Sequence, residues 1–86
     1  MRSVFLPEFQ SDLKDFIKNN ARLALKVMDL VAATEKQPFE GLGKPEALKH
    51  ELSGLWSRRI DLKHRIVYEV DEVNDIIIFI SCYGHY

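Results

Sequence analysis

Five consecutive large apolar residues, Ile76-Ile77-Ile78-Phe79-Ile80, stand near the end of this sequence. A run that is mostly β-branched, and far too short to cross a bilayer, reads as a core strand. A chain of 86 residues has room for one core and few spare residues, so it forms a single domain, 1–86, whose other elements must be arranged around that strand. The run leads through Ser81, Cys82, Tyr83 and Gly84 into His85 and Tyr86, the last two residues. An imidazole, whose ordinary pKa lies near 7, is thus expected where a buried strand surfaces, a position suited to acid–base chemistry.

The rest of the pattern fills in around the strand. Val4, Phe5 and Leu6, closed by Pro7, read as a short first strand. Pro7 then suits the first turn of a helix, where its missing N–H is no loss. Phe9, Leu13, Phe16 and Ile17 follow at helical spacing, and Asn19-Asn20 breaks that helix. Leu23, Val27, Leu30 and Val31 mark a second helix, with Leu25, Met28 and Ala32 thickening its stripe into core. Pro38, Gly41, Gly43 and Pro45 make residues 37–45 a loop. It is not a phosphate-cradling P-loop, because no strand precedes it and Lys44 is followed by Pro45. A short ordered stretch at 48–52 precedes strands at 55–60, 64–70 and 76–83, with turns at 61–63 and 71–75. The order β-α-α-β-β-β predicts an α+β domain, two N-terminal helices packed on a small antiparallel sheet joined by hairpins. The first strand is expected to join that sheet.

Charge and cysteine usage exclude several function classes. A net charge of −1 argues against non-specific nucleic-acid binding. The charge is uneven, however. Residues 44–65 hold Lys44, Lys49, Arg58, Arg59, Lys63 and Arg65 against three acids, while 66–86 hold Glu69, Asp71, Glu72 and Asp75 with no Lys or Arg. Such a local basic patch can attract phosphate. Cys82 is the single cysteine, so it has no intrachain disulfide partner, cannot build a zinc cluster alone, and reads as a buried thiol. No signal-peptide pattern opens the sequence, and a cytoplasmic protein with no membrane association is the expectation.

Strand parity turns the sheet into a candidate site. With a three-residue first hairpin loop, Ile60 opposes His64 and Arg59 opposes Arg65. With a second loop of residues 72–74, Asp71 opposes Asp75 and Arg65 opposes Ser81. Side chains alternate faces, so Arg59, Arg65, Ser81, Tyr83 and His85 share one face, opposite a core face carrying Trp56, Arg58, Ile60, Ile66, Tyr68, Val70, Ile76, Ile78, Ile80 and Cys82. Two opposed arginines repel unless an anion lies between them, and guanidinium groups fork onto phosphate. His85 can supply a proton, and Glu46, just after the loop, is a carboxylate able to face the same cleft. A base, an acid and arginines around one phosphate suit metal-free RNA transesterification. No carboxylates cluster at the spacing of a two-metal nuclease. Each residue also has an ordinary explanation: Glu46 paired with Lys49, Arg59 and Arg65 paired with Glu51 or Glu69, His85 in a frayed terminus, and Tyr83 and Tyr86 covering the sheet rather than stacking on bases. His50 and His64 have no role assigned by their neighbours in the sequence.

The stretch Pro38-Phe39-Glu40-Gly41-Leu42-Gly43-Lys44-Pro45-Glu46, then Leu48-Lys49-His50-Glu51-Leu52-Ser53-Gly54, Trp56-Ser57-Arg58-Arg59-Ile60, His64-Arg65-Ile66-Val67-Tyr68 and the closing His85-Tyr86, closely resembles the YoeB/Txe toxins of the RelE superfamily. The match is almost continuous over the second half. The resemblance implies a RelE-like fold and a bacterial type II toxin that cleaves mRNA in the ribosomal A site without metal or other cofactor. It also implies a YefM-type antitoxin as partner and a toxin homodimer. By motif position Glu46 would be the general base, Arg65 the transition-state stabiliser and His85 the general acid. Tyr86 would hold substrate or orient the site, and Lys49 and Arg59 would contact phosphate. Two departures stand out. The family pattern has a basic–aromatic pair where this chain has Tyr83-Gly84, and often an acid where Lys63 stands. They leave open a second reading, a catalytically weakened homologue acting mainly as an antitoxin-binding, co-repressor protein.

Overall fold

Pro7 sets the direction of the whole N-terminal half. It is the first residue of helix α1 (Pro7–Asn19), Glu8 lies in the first turn and Lys18 in the last, so both ends complement the helix dipole. Asn20 ends this helix by donating its N–H to the Phe16 carbonyl at 2.7 Å. It starts α2 (Ala21–Lys36) by accepting from the Leu23 N–H. Phe9 and Phe16 of α1, and Leu23, Ala24, Val27 and Leu30 of α2, are buried. The stripe is narrower than the sequence pattern suggests. Ile17, Leu25 and Met28 are more than half exposed, because α1 and the sheet occupy only one side of α2. Thr34 is fully buried instead, its hydroxyl donating to the Leu30 carbonyl at 2.7 Å.

The computed structural model describes residues 1–84. In it the helices lie between strand β1 (Arg2–Phe5) and four further strands, β2 (Glu46–Ala47), β3 (Leu55–Arg59), β4 (Arg65–Asp71) and β5 (Ile76–Ser81). A short 3-10 turn covers His50–Leu52. The sheet order is β1-β5-β4-β3-β2. Strands β2 to β5 are antiparallel neighbours, but β1 runs parallel to β5, Arg2 opposite Ile76 and Phe5 opposite Phe79. The sheet is therefore mixed rather than wholly antiparallel. The helical crossover carries the chain from one edge of the sheet to the other, and the apolar β5 gains a neighbour on each side. Phe5 stacks on Phe79 with ring centroids 5.1 Å apart.

The first hairpin has the expected register, with Arg59 opposite Arg65. Asp61 sets it, its Oδ1 accepting from the N–H groups of Lys63 at 2.8 Å and His64 at 2.7 Å. Burial pushes the Asp61 carboxyl up, but those two hydrogen bonds outweigh it and hold the group below its ordinary value. The second hairpin differs by one residue. Asp71 opposes Ile76, not Asp75, so the loop has four residues. Asp71 accepts from the Asn74 N–H at 3.1 Å, and Asp75 takes a left-handed φ of 58°, a conformation Asp tolerates. The slip exchanges the faces of β5: Ile77 and Phe79 enter the core opposite Val70 and Tyr68, and Ile76 and Ile78 leave it. A bulge then corrects the parity. Tyr68 opposes Phe79, but Val67 opposes Ser81, with Ile80 as the extra residue. Cys82 thereby returns to the core, and the arginine face regains Ser81.

Cys82 shows how tightly this end of the sheet is closed. It is fully buried, its N–H donates to Asp12 Oδ2 at 3.0 Å, and burial, reinforced by the Asp12 charge, pushes its thiol from 9.0 up to about 12. The folded state therefore keeps a proton that the unfolded chain releases above about pH 9. This contribution to stability is complete below pH 9 and is lost as pH rises toward 12, by on the order of 4 kcal/mol. Denaturant melts at pH 8 and pH 10.5 should show the decline, and Cys82→Ala should flatten it. A thiol reagent should modify wild-type Cys82 only as fast as the protein unfolds.

Candidate active site

The loop at residues 37–45 has no regular hydrogen bonding of its own, so a side chain supplies it. Arg58, fully buried in β3, donates from Nη1 to the Leu42 carbonyl at 2.9 Å, from Nη2 to the carbonyls of Glu40 at 2.9 Å and of Gln37, and from Nε to the Tyr68 hydroxyl at 3.2 Å. Tyr68 donates its own hydroxyl to the Pro38 carbonyl at 2.7 Å. Burial pushes the Tyr68 phenol up, with Arg58 partly opposing it. A buried cation is thus satisfied largely by main-chain oxygens that the loop could not otherwise satisfy. Gly43 closes the clamp. A Cβ there would meet Leu30 Cδ2 at 2.7 Å and both Arg58 Cβ and the Arg59 carbonyl at 3.1 Å, and its φ is 84°. The Gly43 carbonyl accepts from the Arg59 N–H at 2.7 Å.

The clamp delivers the chain to β2 with Glu46 opposite Ser57 and Ala47 opposite Trp56. Directly opposed residues share a face, which gives one continuous row, Glu46, Ser57, Val67, Ser81, across β2, β3, β4 and β5. The opposed pair Arg59 and Arg65 lies two residues along on the same face. This is the face away from the helices, since Ile60, Ile66, Tyr68 and Phe79 of the other face form the core. Ser57, Val67 and Ser81 are buried along its middle, Arg65 is half-buried, and Glu46 and Arg59 are exposed. Among the described residues the Ser57 hydroxyl is buried with no hydrogen-bond partner. Glu69 lies four residues from Arg65 along β4, opposite Leu55 and Ile78, about 13 Å away at strand spacing. It is therefore not the carboxylate beside the arginine pair.

The structure thus brings together Glu46, Arg59 and Arg65. Lys49, just before the 3-10 turn, is exposed and shares a shallow depression with Glu46, Leu48 and His50. Tyr83 does not join them. Its ring lies on His64 at 4.6 Å and on Phe16 at 5.7 Å, on the helix side, because the chain leaves β5 after Ser81. His85 and Tyr86 lie outside the described residues. The sequence reading placed Arg58 near the rim of the core face and gave it no task. The available signal was its shared parity with Tyr68, which puts a cation and a phenol together beneath a loop rich in Pro and Gly.

A family model of the YoeB-like toxin of bacterial type II toxin–antitoxin systems matches residues 5–86. The chain belongs to the YoeB-like toxin family. Toxin YoeB of Escherichia coli K12 is 41% identical to it over 86 residues, covering all of both chains. Among solved structures, a YoeB/ParE toxin from Agrobacterium tumefaciens superposes with a TM-score of 0.94 at 38% identity, with both chains fully covered. A heterotetrameric YoeB–YefM toxin–antitoxin complex from Staphylococcus aureus gives 0.86, and a YoeB dimer from the same organism 0.88. Each is 38% identical and covers all of this chain and 98% of the other. The two-helix, mixed-sheet architecture described above is the fold of these YoeB-like toxins.

Because the clamp needs the planar fork of Arg58, Arg58→Lys should lose at least two carbonyl bonds, costing on the order of 3 kcal/mol. Urea unfolding measures this, and limited proteolysis should show cleavage within residues 37–45 only in the variant. Unchanged stability together with an uncut loop would contradict the role given to Arg58.

Proposed function

We propose that this YoeB-family chain is a ribosome-dependent endoribonuclease that cleaves mRNA in the ribosomal A site, and that a YefM-type antitoxin neutralises it. The observation that carries the reading is the register Glu46–Ser57 together with Arg59–Arg65, which gathers one carboxylate and two guanidinium groups on an open sheet face. In the reaction we infer, Glu46 accepts the proton of a ribose 2′-OH, and the 2′ oxygen attacks the adjacent phosphorus. Arg65 stabilises the added negative charge, with Arg59 and Lys49 holding phosphate oxygens. His85 protonates the departing 5′ oxygen as the P–O bond breaks, and Tyr86 helps hold the substrate. The products are a 2′,3′-cyclic phosphate and a 5′-OH. No metal takes part, because a base, an acid and fixed cations already meet the needs of this transesterification. DNA lacks the nucleophile.

A neutral overall charge gives little hold on free RNA, which favours a substrate presented by the ribosome. The Staphylococcus aureus complex and dimer support the same two associations here, with an antitoxin and with a second copy. The competing reading, a weakened homologue kept for antitoxin binding, draws its best support from the Tyr83-Gly84 departure.

On purified ribosomes carrying a defined mRNA, Glu46→Ala and His85→Ala should each slow cleavage on the order of 10²- to 10⁴-fold while both variants melt like the wild type. Equal cleavage by wild type and His85→Ala would overturn the assignment. Absence of cleavage by the wild type, with no growth arrest on expression without antitoxin, would favour the weakened homologue.

A further inference from the structure

Gly84 is held at both of its main-chain polar groups. Its N–H donates to His64 Nδ1 at 2.9 Å, and its carbonyl accepts from the Arg65 N–H at 2.8 Å. Its φ is 76°, and a Cβ there would meet nothing within 4 Å. The backbone conformation, not the space, is therefore what favours glycine. Gly84 belongs to one of the two departures from the family pattern that the sequence resembles, and it is firmly tied.

His64 is built to make that tie. It is 7% exposed, directly follows the Asp61 turn, donates its N–H to Asp61 Oδ1, and accepts at its carbonyl from the Ile60 N–H. Its ring meets Phe16 edge-on at 5.1 Å and is overlaid by Tyr83 at 4.6 Å. Main chain and ring plane are both fixed, so Nδ1 has one direction in which to accept. A nitrogen that accepts carries no proton, and among the described residues no other acceptor serves the Gly84 N–H. The residue after His64 is Arg65, which holds the other side of the same glycine. One dipeptide at the start of β4, His64-Arg65, therefore sets the point from which the chain continues to His85.

We propose that His64 is a positioning residue for the reaction proposed above: its Nδ1 fixes the Gly84 peptide and so registers His85 and Tyr86 against Arg65. This rests on that reading for the task of His85. A histidine serving only as packing for Phe16 and Tyr83 would behave differently, and three substitutions separate the two. His64→Asn keeps an acceptor near the Nδ1 position and removes the ring. His64→Leu has the same shape without the acceptor. His64→Phe keeps a ring without the acceptor.

The test combines single-turnover mRNA cleavage on programmed ribosomes with amide hydrogen exchange at Gly84, each variant being assayed below its own melting temperature. His64→Leu and His64→Phe should lower the cleavage rate constant on the order of 10²-fold, leave the half-saturating toxin concentration near that of the wild type, and deprotect the Gly84 amide. His64→Asn should stay within about tenfold of the wild type in rate and keep the amide protected. If either His64→Phe or His64→Leu fails to fold, the other still gives the comparison with His64→Asn. Cleavage by the acceptor-less variants at the wild-type rate overturns the proposal, and so does cleavage by His64→Asn as slow as theirs. If the wild type itself does not cleave, the functional reading falls and the catalytic part of this proposal falls with it, whereas Gly84 exchange still decides whether the tie exists.

Discussion

The buried guanidinium of Arg58 is the constraint on which the site depends. Placing a cation inside a domain this small is unfavourable unless each of its donors is satisfied. Here the donors reach a phenol and the carbonyls of Gln37, Glu40 and Leu42. The exchange is mutual, because a loop with two prolines and two glycines has carbonyls that no helix or ladder serves. Arg58 points into the core and Arg59 to the open face, so one dipeptide of β3 both fastens the loop and supplies the site. Glu46 comes three residues after Gly43, whose carbonyl is itself bonded to Arg59. The position of the carboxylate therefore follows from the packing beneath it.

That arrangement also explains why an otherwise neutral chain can present a concentrated cationic face. Arg59 and Arg65 stand opposite each other, where like charges are unfavourable. The cross-strand partner of Glu46 is Ser57 rather than either arginine, so the sheet does not place the carboxylate where it would cancel them. The ladder that holds β3 to β4 meets the cost of keeping two like charges opposite each other. Ser57, buried opposite Glu46, has no hydrogen-bond partner for its hydroxyl among the described residues.

Much of this was legible in the sequence, and the failures have physical causes. The first hairpin could be read because Asp61 has a turn-forming side chain and the strands on either side leave only residues 61–63 for the loop. The second could not. Ile76 to Ile80 is apolar at every position, so alternation carries no information about which side faces the core. The four-residue loop depends on Asp75 accepting a left-handed conformation, which composition does not announce. The helical stripes were overdrawn at Ile17, Leu25 and Met28, since periodicity reports apolar positions but not how many neighbours are available to cover them. Arg59 was placed opposite Arg65 because that pairing depends on the first hairpin alone, whereas the two-residue β2 that carries Glu46 is too short to leave a pattern. Tyr83 was misplaced because its side depends on where the chain leaves β5.

The extra residue at Ile80 has a consequence for how such a chain can vary. It uncouples two halves of one strand. Before it, side chains are chosen by the helices they pack against. After it, Ser81 joins the open face while Cys82 and Tyr83 turn back to α1. Substitutions among residues 76 to 79 can therefore accumulate under one set of demands while residues 81 to 84 are held to another, provided the strand keeps its length. Loss of Ile80 itself would only straighten the strand, whereas loss of Ser81 would turn Cys82 toward the arginines. Length after the bulge is therefore the stricter requirement of this segment, and composition before it the freer one.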